Sequence, residues 1–220
     1  MLRDNSGQPY WDKQEEELIK IVNEKANNEI PKIYCFGDCC TLGIDHQGKT
    51  TSYNYPLFLQ EELKEKYQVI NLGRKKLRME SLLNFRNLFI PKSNSNKDIA
   101  CVWCGTNDLH AGLQSEVVFN LFKGFCDLLI EKNIKIIAIT AIPRDGDIHL
   151  IGTVFEENRL IFNDLIIKNY KNIVDLTMLE KEYYDDGDFV HLNECGYKFV
   201  AEKIAKVIKE IEIQNEIKKQ

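Results

Sequence analysis

Short apolar runs recur along this chain, each stopped by turn residues and followed by a longer stretch with helical spacing. Residues 33–36, 69–72, 99–104 and 134–140 form four such runs, and a weaker fifth covers 173–176. Between and after them, residues 57–67, 79–89, 116–132, 155–170 and 194–213 carry apolar side chains at three- and four-residue intervals, the pattern of an amphipathic helix. Parallel strands need a crossover long enough for a helix, and strands covered on both faces are apolar almost throughout. The runs show little polar alternation, so the chain is predicted to be α/β, with a five-stranded parallel sheet between helical layers. The pattern does not fix the order of the strands.

A helix is also predicted over residues 11–30, where Leu18, Ile19 and Val22 share a face and Pro31 ends the segment. The stretches 93–97 and 144–147 are loop signals, too short to link domains. A chain of 220 residues with 44% hydrophobic and 29% charged residues supports one well-developed core. One domain over 1–220 is expected, with 1–30 a helical extension and 214–220 a frayed tail.

The formal net charge of -5 gives no general attraction to nucleic acid or anionic membranes, and neither is an expected partner. Residues 1–10 are polar and no apolar run is long enough to span a bilayer, so a cytoplasmic location is expected. Seven cysteines cannot all pair, which fits a reducing compartment. Cys35, Cys101, Cys104 and Cys126 lie in apolar runs, where cysteine acts as a small hydrophobe. Cys101 and Cys104 have C-x-x-C spacing, but inside a predicted strand that spacing suits core filling better than redox or zinc chemistry.

Three polar segments follow apolar runs: Gly37-Asp38-Cys39-Cys40-Thr41-Leu42-Gly43, Gly105-Thr106-Asn107-Asp108 and Asp188-Phe189-Val190-His191. In open parallel sheets the ligand crevice lies beyond the carboxyl ends of the strands, where these loops belong. Cys39 offers a thiol, with a short helix N-terminus nearby to favour the anion; alternatively Cys39 and Cys40 are buried turn residues. Asn107 offers an amide donor for an oxyanion, or caps a turn. Asp188 precedes His191 by three residues, a spacing that lets the carboxylate hold Nδ1 and leaves Nε2 free as a base. His46, His110 and His149 have no partner at an obvious spacing. The acidic run 183–187 does not match an EF-hand loop.

With these residues in view, the chain resembles the SGNH, or GDSL-like, hydrolases, a family of esterases, lipases, thioesterases and carbohydrate deacetylases. The resemblance covers nearly its whole length. Gly37 to Gly43 is similar to the first block, G-D-S-x-T-x-G, with cysteine in the serine's place. Asn71-Leu72-Gly73 resembles the second block, Gly105 to Asp108 the third, and Asp188 to Asn193, followed by Gly196-Tyr197, the last. The resemblance implies a flavodoxin-like three-layer α/β/α fold, with Cys39 as nucleophile, His191 as base and then acid, and Asp188 orienting it. The Cys39 N–H, the Gly73 N–H and the Asn107 amide would form the oxyanion hole. Asp38, Arg74 and Asp108 are candidate substrate contacts. No metal or organic cofactor is implied, and the partner would be a small acyl ester, thioester or acetylated carbohydrate. One departure is Arg74-Lys75-Lys76, where the family usually has a small, often glycine-containing turn.

The cysteine leaves three readings open. An active thiol would pass its acyl group through a thioester, which suits transfer to an amine or thiol as well as hydrolysis. A sulfur in a site dimensioned for oxygen would be misplaced, and about 1 Å of misplacement can cost on the order of a hundredfold in rate, leaving a weak enzyme or a binding protein. The bare fold also suits a flavin or nucleotide binder, although the first loop lacks the phosphate-cradling richness expected of one.

Overall fold

A computed structural model of the chain describes residues 30–84, 96–144 and 154–217. Five parallel strands, β1 (Lys32–Gly37), β2 (Gln68–Gly73), β3 (Ile99–Trp103), β4 (Lys135–Ile139) and β5 (Ile173–Val174), form one sheet in the order β2-β1-β3-β4-β5. That is the flavodoxin-like order, and it turns back on itself between β1 and β3. The predicted class and strand count hold, each strand within two residues of its apolar run.

Side chains alternate across a strand, and the two cores show it directly. Tyr34, Phe36, Ile70, Leu72, Ala100, Val102, Ile136 and Ala138 face one way, onto α3 (Met79–Asn84), α5 (Ser115–Ile130) and α6 (Val154–Asn169). Ile33, Cys35, Ile99, Cys101, Trp103, Ile137 and Ile139 face the other way, onto α2 (Tyr55–Leu63) and α7 (Glu194–Ile217). Both faces are dry, which is why the strands carry so little polar alternation. Cys101 and Cys104, the C-x-x-C pair, are both buried in the core, and Cys101 lies opposite the equally buried Cys35 in register.

Two short helices fill the turns after the central strands: α1 (Cys39–Leu42) follows β1 and α4 (Thr106–His110) follows β3. They are too short for a periodic pattern and were not predicted as elements. The helix expected over 79–89 is described only as Met79–Asn84, the rest lying outside the described residues. The same holds for 11–29 of the expected N-terminal helix. At the other end α7 continues to Ile217, so 214–217 are helical rather than frayed. No helix among the described residues is long and apolar enough to cross a membrane.

Candidate active site

The site is built at the carboxyl ends of β1 and β3, where the strand order reverses. Gly37 closes β1 with no room for a side chain: a Cβ there would lie 2.0 Å from Thr41 Oγ1 and 2.4 Å from the Trp103 carbonyl oxygen. Asp38 then caps α1, its Oδ1 accepting the Cys40 N–H at 3.0 Å. Gly43 ends the helix at φ 88°, a conformation that suits glycine. Cys39 is thereby the first residue of a four-residue helix, half-buried.

The thiol is not pre-ionised. Burial pushes the Cys39 pKa above the usual thiol range, and the Asp38 carboxylate pushes it the same way; the Lys76 N–H and the Arg144 guanidinium oppose them. Burial and the adjacent Asp38 carboxylate thus work against the expectation that a helix terminus favours the anion. Cys40 is pushed far higher by its own burial, and its side chain packs into the core formed with α2 and α7.

In the turn before α7, His191 Nδ1 lies 2.6 Å from Asp188 Oδ2. Asp188 Oδ1 accepts the backbone N–H groups of Val190 at 2.9 Å and His191 at 3.0 Å. One carboxylate thus shapes the turn and fixes the ring, while Nε2 makes no hydrogen bond among the described residues. His191 is near enough for its charge to lower the Asp38 pKa, and Asp188 near enough to raise that of Cys40. No hydrogen bond joins the Cys39 sulfur to His191 among the described residues; the sulfur's partner is the Lys76 N–H, at 3.5 Å.

Lys76 is the residue that sequence reasoning missed. The Gly73 N–H, expected in the oxyanion hole, donates to Asn71 Oδ1 at 2.9 Å, and the N–H that meets the sulfur is that of Lys76. Gly73 serves instead to let α1 approach β2, since a Cβ would lie 2.2 Å from the Leu42 nitrogen. Three residues later the chain turns at Lys76 with φ 57°, left-handed backbone that favours glycine, and this presents the N–H to Cys39. The signal was the Arg74-Lys75-Lys76 departure itself: a position that calls for glycine is filled by lysine.

The other predicted residues are placed as follows. Asn107 Nδ2 donates to the Leu77 carbonyl at 3.0 Å and to Asp38 Oδ2 at 3.3 Å, so it adjoins the Cys39 turn. Asp38 is only 5% exposed with both oxygens engaged, which makes it a wall of the site and not a substrate contact. Asp108 is fully buried and Oδ2 accepts the Met79 N–H at 3.0 Å, so it holds the start of α3 and no substrate reaches it. Burial raises its pKa to about 6, against the opposing Met79 bond and Arg78 charge. Arg74 stays at the rim, half-buried, with its N–H bonded to the Gly37 carbonyl at 2.9 Å. Arg144 adds a cation that the motifs did not signal: it follows Pro143, whose carbonyl accepts the Tyr184 hydroxyl at 2.6 Å beside the His191 turn.

His46, thought to lack a partner, lies 2.9 Å from Asp185 Oδ1. Among the described residues no group of three His, Cys, Asp or Glu side chains is placed to hold a metal ion.

No family model and no curated protein matches the chain. Solved structures do. A lipase/acylhydrolase from Enterococcus faecalis aligns with TM-score 0.64 over 84% of this chain and 97% of its own, at 17% identity. A member of the lipolytic protein G-D-S-L family from Veillonella parvula aligns with TM-score 0.62 over 80% and 97%, at 19% identity. A carbohydrate acetylesterase family member from Sinorhizobium meliloti gives 0.63 over 82% and 98%, at 15% identity. The chain therefore has the three-layer α/β/α fold found in G-D-S-L lipolytic proteins.

Proposed function

We propose that this protein is an acyl hydrolase that uses a Cys39-His191-Asp188 triad on small esters, thioesters or O-acetylated carbohydrates. The observation that carries the reading is the 2.6 Å Asp188-His191 pair, whose Nε2 makes no hydrogen bond among the described residues and whose charge acts on Asp38, the neighbour of Cys39. The three structural neighbours, named for lipolytic, acetylesterase and acylhydrolase activity, support the same class. Because the thiol is held protonated, attack needs a base. His191 Nε2 takes the proton as the sulfur bonds to the carbonyl carbon and the carbonyl electron pair moves onto oxygen. The backbone N–H groups of Cys39 and Lys76 receive that oxyanion, Lys76 taking the role first given to Gly73. Asn107 joins them when the oxyanion replaces its longer bond, to Asp38. Collapse expels the alcohol or thiol with the proton from His191 and leaves a thioester on Cys39. Water, activated by the same imidazole, then releases the acid and restores the thiol; an amine or thiol acceptor in its place gives acyl transfer.

A second reading is favoured by one observation: among the described residues, the resting sulfur bonds to the Lys76 N–H and not to His191. It makes the protein a weak enzyme or a binder of acyl ligands in the same crevice. Turnover of p-nitrophenyl acetate by wild type, Cys39→Ala and Cys39→Ser separates the two. Activity in wild type that is lost in Cys39→Ala supports the cysteine enzyme; an inert wild type with a gain in Cys39→Ser supports the binder.

A further inference from the structure

Between α1 and α2 the chain forms a small hairpin that no motif accounts for. It leaves Gly43, pairs Ile44 with Thr50 in an antiparallel bridge, and closes through the Asp45 N–H to the Lys49 carbonyl at 2.9 Å. Inside the turn, the Gly48 N–H donates to the Asp45 carbonyl at 2.9 Å and the Lys49 N–H to Asp45 Oδ1 at 2.8 Å. A loop this short with so many internal bonds is stiff, and it touches both lips of the crevice.

On one side, Lys75 Nζ donates to the Gly48 carbonyl at 3.0 Å, tying down the turn that presents the Lys76 N–H to the sulfur. On the other, His46 Nδ1 lies 2.9 Å from Asp185 Oδ1 and 3.0 Å from Oδ2. The imidazole also packs against Gly187 so closely that a Cβ there would lie 2.2 Å from His46 Cγ. Asp185 is in turn the hub of the base turn. Its N–H donates to the His191 carbonyl at 2.8 Å, its carbonyl accepts the Phe189 N–H at 3.0 Å and the Asp188 N–H at 3.3 Å, and its Oδ1 accepts the Gly187 N–H at 2.9 Å.

We infer that the 44–50 hairpin is a bracket that sets the His191 turn against the Lys76 N–H, with His46 as the positioning residue that grips the His191 turn through Asp185. This rests on the acyl-hydrolase reading. His46 touches no reacting atom. It acts because the His191 turn, closed at its base by the Tyr184–Leu192 bridge, meets the 44–50 hairpin only at its far end, through Asp185 and Gly187, while the hairpin is rooted at Gly43 directly after the Cys39 helix. Gly187 is glycine because any side chain would drive the hairpin and the turn apart.

Two measurements test the bracket. The first is kcat and KM on p-nitrophenyl acetate for wild type, His46→Ala, His46→Asn, Gly187→Ala and the double variant His46→Ala/Gly187→Ala. His46→Ala should lower kcat about tenfold with KM little changed, as misplacement of a base does. His46→Asn, whose amide can donate from the place of Nδ1, should recover most of it. Gly187→Ala should match His46→Ala alone and add almost nothing to it, the non-additivity of residues in contact. The second measurement does not depend on turnover: the His191 Nδ1 proton resonance, expected to broaden in His46→Ala and to return in His46→Asn. Wild-type kcat in His46→Ala, or an unchanged His191 resonance there, overturns the bracket. An inert wild type overturns the hydrolase reading instead and leaves the resonance to decide the bracket.

Discussion

The two lips of the crevice are held in place by different means. The Cys39 lip is set by packing across the whole domain: Gly37 is wedged between Thr41 and Trp103, Gly73 against α1, and Asp38 is buried as the cap. The His191 lip is a turn closed by the Tyr184–Leu192 bridge, shaped by Asp185 and Asp188 through bonds that reach at most six residues along the chain and fastened to the hairpin by His46. Failure should therefore differ in kind: damage on the first lip unfolds the protein, and damage on the second leaves it folded and inactive.

The largest effect is expected on the second lip. Asp188→Asn keeps an acceptor for the Val190 and His191 N–H groups but loses the charge that holds the imidazole, so kcat/KM should drop on the order of a thousandfold while the melting temperature changes little. Ester hydrolysis beside thermal melting checks this. On the first lip, Gly37→Ala should remove roughly 3 kcal/mol or more of stability, because the new Cβ meets backbone as well as side chain. Urea titration measures it, and an undisturbed midpoint would contradict the packing account.

Asp108, in the wall behind the nucleophile, supplies a smaller effect that depends on pH. Its folded pKa is raised to about 6 by burial, so the protonated form is the one the fold prefers. Its contribution is complete below the unfolded pKa near 4 and declines as pH rises toward about 6. Asp108→Asn should therefore gain on wild type through that window, by on the order of 2 kcal/mol at neutral pH. Chemical denaturation at a series of pH values reads the difference, and a constant gap would contradict the burial. The smallest effect is at Lys76. Lys76→Gly should relieve the left-handed strain and add about 1 kcal/mol of stability with activity retained, since the N–H stays where it is. A loss of activity there would mean that the lysine side chain, not its backbone, serves the reaction.

The same contrast explains what was legible in the sequence. The strands could be read because burial on both faces leaves a continuous apolar run, and the Asp188-His191 pair because its geometry is local. Cys39 and Asn107 could be placed because they follow β1 and β3 directly. The contact of the Lys76 N–H with the Cys39 sulfur was not legible because the direction of an N–H depends on the sign of a backbone dihedral, which no residue type states when lysine stands where glycine is favoured. His46 and Asp185 were invisible as a pair because 139 residues separate them and only the fold brings them together. Asp38 and Asp108 looked like ligand contacts because a carboxylate in a motif reads the same whether it faces the crevice or the core.

The central claim is that the Cys39 sulfur takes up an acyl group with His191 as its base. Brief reaction with p-nitrophenyl acetate, acid quench and peptide mass mapping tests it directly, in wild type, His191→Ala and Cys39→Ala. Acetyl mass on the Cys39 peptide of wild type, greatly slowed in His191→Ala and absent in Cys39→Ala, is the predicted result. Label on Cys40, equal labelling in wild type and His191→Ala, or no label on a folded wild type that also releases no product would contradict it.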